Sequence, residues 1–175
     1  LSQSMLTLGP QLEKFESDFC KYSNSKYAIA VSNCTAALHL SLMALGIKKN
    51  DEVIIPDLTF VADANAILAC NAKPVIADIN KENFFLSISN IKKNITKKTK
   101  AIIPVHIYGQ VCNIEEILDV AKDNNLKVIE DCAHAVGTFH KSKHVGTLGS
   151  TGCFSFYPTK NITTAEGGMV ITNSK

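Results

Sequence analysis

One lysine that follows a short apolar strand is the clearest candidate for a catalytic residue in this sequence. Lys160 belongs to the stretch CFSFYPTKNITTAEGG at 153–168. Residues 153–156 have the composition of a strand, Pro158 ends it, and the Thr, Asn and Gly residues that follow favour turns. A desolvated lysine loses its proton readily and can form a Schiff base with a carbonyl compound. Lys160 is therefore a candidate nucleophile, although most loop lysines are ordinary surface residues.

Three further residues follow or end predicted strands. Asp131 closes the strand 127–131 and either caps the next turn or pairs with a protonated ring nitrogen, as pyridoxal chemistry requires. His134 is either a core histidine or a contact of such a ring. Phe60 is either a core residue or a stacking platform. The residues alone leave these alternatives open.

A phosphate site is indicated near the first strand. The strand 27–31 leads through SNCT into an apolar helix that ends near Leu45 and Gly46. This order presents helix N-terminal amides to a phosphate, although an ordinary helix cap explains Thr35 equally well. All 18 basic residues are lysines, so any anion must be held by backbone N–H groups, hydroxyls or lysine.

The elements that must position these residues alternate along the chain. The pattern predicts an α/β fold with three layers, in which helices cover both faces of a mainly parallel sheet. Ligands of such sheets lie beyond the carboxyl ends of the strands, so Thr35, Phe60, Asp131 and Lys160 can share one rim. The predicted strands are 27–31, 53–55, 74–79, 101–105, 127–131, 153–156 and 167–171. Helices are predicted within 11–22, 35–45, 57–71 and 113–124, a surface helix with loops over 80–100, and a glycine-containing loop before residue 153.

Composition limits the function classes. With 175 residues, 46% apolar and 19% charged, the chain is long enough for one globular domain. No apolar run approaches the ~20 residues of a membrane span. A net charge of +2 from scattered lysines does not indicate nucleic-acid or membrane-surface binding. The six cysteines lack a C-x-x-C pair and favour free thiols in a reducing cytosol.

Other catalytic classes have weaker signals. A metal site would use His134, His140, His144 and Asp131, but these residues lack the helical spacing of H-E-x-x-H. The first strand is not followed by the G-x-G-x-x-G of nicotinamide sites, and Ser155 is not in the G-x-S-x-G of a hydrolase.

Five blocks in order carry a family resemblance: VSNCTAALHL, GIKKNDEVIIPDLTFVADANAI, TKAIIPVHIYGQ, VIEDCAHAVG and FSFYPTKNITTAEGG. Together they resemble the DegT/DnrJ/EryC1/StrS family of pyridoxal-phosphate-dependent sugar aminotransferases, which have the fold-type I aspartate aminotransferase fold. The resemblance implies that Lys160 is the Schiff-base lysine, Asp131 the partner of the pyridine nitrogen and His134 a residue near the ring. It also implies phosphate contacts from Thr35, Ala36 and Ser155, and ring stacking by Phe60.

Two residues depart from the family pattern. Cys34 stands where Gly or Ala is usual, which predicts a tighter phosphate turn. Asp63 stands where Thr is common, and the sequence offers no account of its effect.

The resemblance further implies the setting of the reaction. The expected substrates are a nucleotide-linked keto-sugar, in particular a 4-keto-6-deoxyhexose, and glutamate as amino donor, in a cytoplasmic homodimer with shared active sites. Residues 1–175 are expected to be part of the large cofactor-binding domain, without the C-terminal small domain. A regulatory or scaffold member of the fold and a sugar dehydratase remain alternatives. Dehydratases of the family replace the lysine with histidine, so Lys160 favours transamination.

Overall fold

The computed structural model describes residues 8–175, which form a seven-stranded sheet with helices on both faces. The helices are α1 (Pro10–Ser23), α2 (Cys34–Ala44), α3 (Ala62–Ala69), α4 (Ile88–Asn94) and α5 (Ile114–Asp123). The sheet strands are β1 (Tyr27–Val31), β2 (Glu52–Pro56), β3 (Lys73–Ala77), β4 (Thr99–Ile102), β5 (Lys127–Asp131), β8 (Thr151–Ser155) and β9 (Gly168–Thr172). A separate hairpin comprises β6 (Phe139–His140) and β7 (Lys143–His144), and a 3₁₀ turn covers Ile107–Gly109.

The strand order is β1-β9-β8-β5-β4-β2-β3. Strand β9 is antiparallel to both of its neighbours, whereas the pairings among β8, β5, β4, β2 and β3 are parallel. The prediction of an α/β fold with a mainly parallel sheet is therefore confirmed. The carboxyl ends of β5 and β8 lie side by side, with Asp131 paired with Cys153.

Alternating side chains bury both faces of the sheet. Val53 and Ile55 of β2 pack with α2 and α3, whereas Ile54 between them packs with α4 and α5 on the other face. Helix α1 covers the β8–β9 end of the sheet with Phe19, which packs edge-to-face on Phe154 at 5.2 Å between ring centroids. Because these strands are buried on both faces, the sequence shows short apolar runs instead of alternating apolar and polar residues.

Most predicted elements are present with shifted ends. The strand predicted at 101–105 ends at Ile102, shortly before Pro104, which has no N–H to donate to a ladder. The strand predicted at 74–79 ends at Ala77, and the strand predicted from residue 153 already begins at Thr151. Helix α2 ends as predicted, with Gly46 just beyond it at φ +81°.

The hairpin β6–β7 was not predicted. Its turn residues Lys141 and Ser142 have φ values of 46° and 66°, a conformation for which sequences normally provide Asn or Gly. The segment therefore had only the signal of a glycine-containing loop.

No helix among residues 8–175 combines the length and apolarity that crossing a bilayer requires.

Candidate active site

One cavity of about 610 Å³ opens at the carboxyl ends of the parallel strands. Its walls come from the start of α2, the β2–α3 turn, the segment after β4, the end of β5 and the segment after β8. Six of the seven residues proposed from sequence line it, namely Thr35, Phe60, Asp131, His134, Ser155 and Lys160. Ala36 is not among the lining residues.

The start of α2 forms one end of the cavity. Its N-cap is Asn33, whose side chain accepts a hydrogen bond from the Ala36 N–H at 2.9 Å. The alternative that Thr35 is the helix cap is therefore wrong, and the Ala36 amide predicted to hold phosphate already has a side-chain partner. Thr35 is exposed in the first turn of α2, where backbone N–H groups lack intrahelical acceptors and favour an anion.

Gly168 supports this turn from the neighbouring strand. A Cβ at this position would lie 2.6 Å from the carbonyl carbon of Asn33 and 2.8 Å from the Cys34 nitrogen. Only glycine allows β9 to pass so close to the first turn of α2. The Cys34 side chain is buried in the core cluster that α2 and α3 share, and burial raises the pKa of its thiol, which is therefore neutral.

Asp131 lies at the buried inner side of the cavity. Its Oδ1 accepts the Ala133 N–H at 2.8 Å, so the turn-capping interaction predicted as one alternative exists. The carboxyl nevertheless also lines the cavity, so the two alternatives do not exclude each other. Burial raises the pKa of Asp131, while the Ala133 amide and the charge of Lys160 act in the opposite direction.

Lys160 enters the same cavity from the segment after β8. Its backbone N–H donates to the Tyr157 carbonyl at 2.9 Å and closes a tight turn beyond the strand. The side chain is half-buried and makes no ion pair within residues 8–175. The amine therefore remains available to a ligand, in the cavity that Asp131 also lines.

Aromatic rings flank the cavity opening. Phe60 is 73% exposed and Tyr108 is 78% exposed, and both line the cavity. The Tyr108 ring lies parallel to the His134 ring at 5.5 Å between centroids, and the Tyr108 N–H donates to His134 Nδ1 at 3.4 Å. Burial and the charge of Lys160 lower the pKa of His134, so a neutral imidazole faces the ligand space.

The histidines of the considered metal site do not converge. His140 pairs with Glu115 at 3.2 Å. His144 Nδ1 donates to the Val145 carbonyl at 2.6 Å, and its Nε2 accepts the Gly137 N–H at 3.1 Å, which leaves no free ring nitrogen. The metal interpretation is therefore wrong for this set.

Within the described residues a different trio, His106, Glu130 and Cys132, has the proximity of metal ligands. The Cys112 N–H donates to His106 Nδ1 at 3.3 Å, so the imidazole proton lies on Nε2 and is donated to Glu130 at 2.9 Å. Glu130 also accepts three backbone N–H groups, from Gly146, Leu148 and Gly149, at 2.6–2.8 Å. The carboxylate is fully occupied by protein donors, and the trio is a structural network.

The comparisons with known proteins agree with this geometry. The model of the DegT/DnrJ/EryC1/StrS aminotransferase family matches residues 1–175. This chain belongs to that family. It is 51% identical over 167 residues to GDP-perosamine synthase of Escherichia coli O157:H7, an alignment that covers 95% of the chain and 46% of the relative. The chain thus spans about half the length of the curated relatives it matches.

Solved structures of aminotransferases have the same fold. An aminotransferase from Psychrobacter cryohalolentis superimposes with a TM-score of 0.92 at 41% identity, covering 95% of this chain and 42% of that one. The proposed sugar aminotransferase Spr1654 from Streptococcus pneumoniae, in its PLP form, superimposes with a TM-score of 0.96 at 30% identity, covering 99% and 48%. The sheet of this chain is thus the fold-type I sheet of PLP-dependent aminotransferases.

Sequence reasoning missed three contributors to the site. The cap Asn33 was recognisable in SNCT as a residue favoured at N-caps. Gly168 was recognisable only as one of two consecutive glycines. Tyr108 lies in HIYGQ, and nothing in that segment indicates that its ring faces the cavity.

Proposed function

We propose that the protein is a pyridoxal-phosphate-dependent aminotransferase that transfers an amino group from glutamate to a nucleotide-linked keto-sugar, in particular a 4-keto-6-deoxyhexose. One observation carries the proposal: Lys160, from the segment after β8, and Asp131, at the end of β5, line a single cavity that also contains a helix N-terminus. Family membership and the relation to GDP-perosamine synthase support the sugar-nucleotide class of substrate.

The cavity fits this cofactor. A volume of about 610 Å³ lies within the range of small-molecule sites. The exposed hydroxyl of Thr35 and the first-turn amides suit a phosphate, and the buried carboxyl of Asp131 suits a cationic ring nitrogen. The chain contains no arginine, so the phosphate contacts proposed here come from hydroxyls and backbone amides.

When bound, pyridoxal phosphate supplies an electron sink for the carbanion that transamination requires. The amine of Lys160 holds the cofactor between turnovers and, once free, moves a proton with its Nζ as a general acid–base. Asp131 holds the proton on the ring nitrogen, an interaction strengthened by its low-dielectric surroundings. Phe60 and His134 limit the tilt of the ring, and Ser155 joins Thr35 as a hydroxyl donor to the phosphate.

The setting of the reaction follows from the same proposal. Residues 1–175 form part of the large cofactor-binding domain. The enzyme is a cytoplasmic homodimer in which the two subunits share their active sites. The exposed apolar side chains Leu40 and Met43 of α2, on the helix that starts at the cavity, are compatible with a partner subunit nearby.

A half-reaction with glutamate tests the activity. The full-length protein, loaded with pyridoxal phosphate and mixed with glutamate, is expected to lose the absorbance of the lysine-bound cofactor and to form 2-oxoglutarate in equal amount. Product analysis with a nucleotide-linked 4-keto-6-deoxyhexose then identifies the reaction. An amino-sugar supports the proposal, a deoxygenated sugar indicates a dehydratase, and absence of cofactor binding and half-reaction indicates a regulatory or scaffold protein.

A further inference from the structure

A second carboxyl group lies behind the cavity, beside Asp131. Asp63 is in the first turn of α3 and is 0% exposed. Its Oδ2 accepts a hydrogen bond from the Thr59 hydroxyl at 2.5 Å. Its Oδ1 is buried and has no hydrogen-bond partner within the described residues, and its carboxyl lies close enough to that of Asp131 for the two groups to interact electrostatically. Such an oxygen is satisfied only if a proton lies between the two carboxyl groups.

The electrostatics of the pair favour one shared proton. Two carboxyl groups in contact and out of water cannot both ionise without a large cost. Burial and the neighbouring Asp131 raise the pKa of Asp63 well above its ordinary value. Asp131 has the opposing influences of the Ala133 amide and the charge of Lys160, which Asp63 lacks.

The remaining groups that face the pair do not supply another proton donor. Burial raises the pKa of the nearby Cys34 and Cys153 thiols, so both keep their S–H proton, but neither thiol is a hydrogen-bond partner of Asp63 Oδ1. Thr59 already donates to the other oxygen of Asp63. The unpartnered Oδ1 therefore belongs to the protonated member of the pair.

We propose that Asp63 is a positioning residue whose protonated carboxyl donates a hydrogen bond to Asp131 and keeps Asp131 ionised and oriented toward the cavity. The protonation state of Asp63 can be measured without any cofactor. The role of the ionised Asp131, which is to pair with a cationic ring nitrogen, rests on the function proposed above. Helix α3 and the β2–α3 turn thereby act on the site through Asp131, without Asp63 lining the cavity itself.

The pH dependence of stability tests the proton. A carboxyl whose pKa is raised on folding contributes stability at low pH, and this contribution is lost as the pH rises through the folded-state pKa. In thermal unfolding of the full-length protein without cofactor, the contribution of Asp63 should thus lower the midpoint as the pH rises above the ordinary range of an aspartate. D63N keeps a hydrogen-bond donor but has no acidic proton, so its midpoint should fall less steeply. D57N, at an exposed aspartate of the same turn, serves as the control and should match the wild type.

Equal slopes in D63N and the wild type would overturn the proposal. If D63N does not fold, infrared spectroscopy of the wild type decides instead. A carbonyl band of a protonated carboxylic acid, present at neutral pH and lost at alkaline pH, supports the proposal, and its absence at neutral pH contradicts it.

An isosteric pair of variants tests the effect on Asp131. D63T retains a hydroxyl that can donate to Asp131, whereas D63V has nearly the same shape and no donor. The probe is pyridoxine 5′-phosphate, which has the ring and the phosphate but no aldehyde for Lys160. Loss of a hydrogen bond to the carboxylate makes Asp131 easier to protonate. On acidification, D63V should therefore lose binding of the probe at a pH about one unit or more higher than the pH at which D63T loses it.

The outcomes separate this proposal from the proposed function. If D63V and D63T differ by the same factor at every pH, Asp63 acts only through packing and the positioning role is wrong. If neither variant nor the wild type binds pyridoxine 5′-phosphate at any pH, the proposed function fails. The stability and infrared measurements on Asp63 remain decisive in that case.

Discussion

Glu130 and Asp131 are consecutive carboxylates at the end of β5, and the structure uses them in opposite ways. Successive residues of a strand point to opposite faces of the sheet. Glu130 points to the face where three backbone N–H groups of the 146–149 segment and the His106 imidazole occupy both of its oxygens. Asp131 lines the cavity, where its Oδ1 accepts the Ala133 N–H and its carboxyl interacts electrostatically with that of Asp63. A carboxylate whose oxygens are all occupied by protein donors stabilises a loop, whereas a carboxylate with free acceptor sites can bind a ligand.

The largest expected effect is on stability, in E130A. The substitution leaves three backbone N–H groups and the His106 Nε2–H without an acceptor in a fully buried place. We expect a loss of about 3–5 kcal/mol in the free energy of unfolding of the full-length protein, measured with denaturant. E116A, at an exposed position of α5, is the control and should change it by less than about 0.5 kcal/mol. A small effect in E130A would mean that the network contributes little.

D131N should show the opposite profile. The amide oxygen can still accept the Ala133 N–H, so we expect unfolding to change by no more than about 1 kcal/mol. Turnover should fall by about 100- to 1,000-fold, because a neutral amide does not hold the ring proton. Steady-state kinetics with cofactor-saturated protein measures this. Unchanged turnover would remove Asp131 from the mechanism, and destabilisation as large as that of E130A would make it a structural residue.

H106L tests whether the hydrogen-bond network around Glu130 is purely structural. The variant removes one of the donors to Glu130 and the acceptor of the Cys112 N–H, while the three backbone donors remain. We expect a loss of about 1–3 kcal/mol in the free energy of unfolding, with no change in the affinity for pyridoxal phosphate. A loss of affinity without loss of stability would place His106 on the functional side of the strand.

T59V has the smallest expected effect. It removes the hydroxyl that donates to Asp63 and should cost about 0.5–1.5 kcal/mol of unfolding free energy. T59S retains the hydroxyl and serves as its control. Equal stability of T59V and the wild type would show that the Thr59 contact does not stabilise Asp63.

The fold was largely predictable because its strands are short apolar runs separated by Pro, Gly and polar turns. Strand β5 was predicted with its observed bounds, and the shared location of Asp131 and Lys160 followed from parallel strands that end at one edge. The hairpin at 139–144 was missed because Lys141 and Ser142 adopt positive φ without the usual Asn or Gly.

The details of the site were harder to predict from the sequence, because they depend on contacts between segments that are distant in sequence. The adjacent letters E and D at 130–131 do not reveal which carboxylate is occupied by the 146–149 segment. The approach of Asp63 to Asp131 depends on the packing of α3 against the sheet. The close passage of Gly168 by Asn33 depends on the position of β9 in the strand order.

Chemical mapping of the lysine that holds the cofactor tests the central claim most directly. The full-length protein is loaded with pyridoxal phosphate, treated with borohydride to fix the cofactor to its lysine, digested and analysed by mass spectrometry. We expect the pyridoxyl mass on Lys160, and its loss in K160A but not in K122A, a variant at an exposed lysine of α5. A label on any other lysine, or none at all in the loaded wild type, would contradict the assignment.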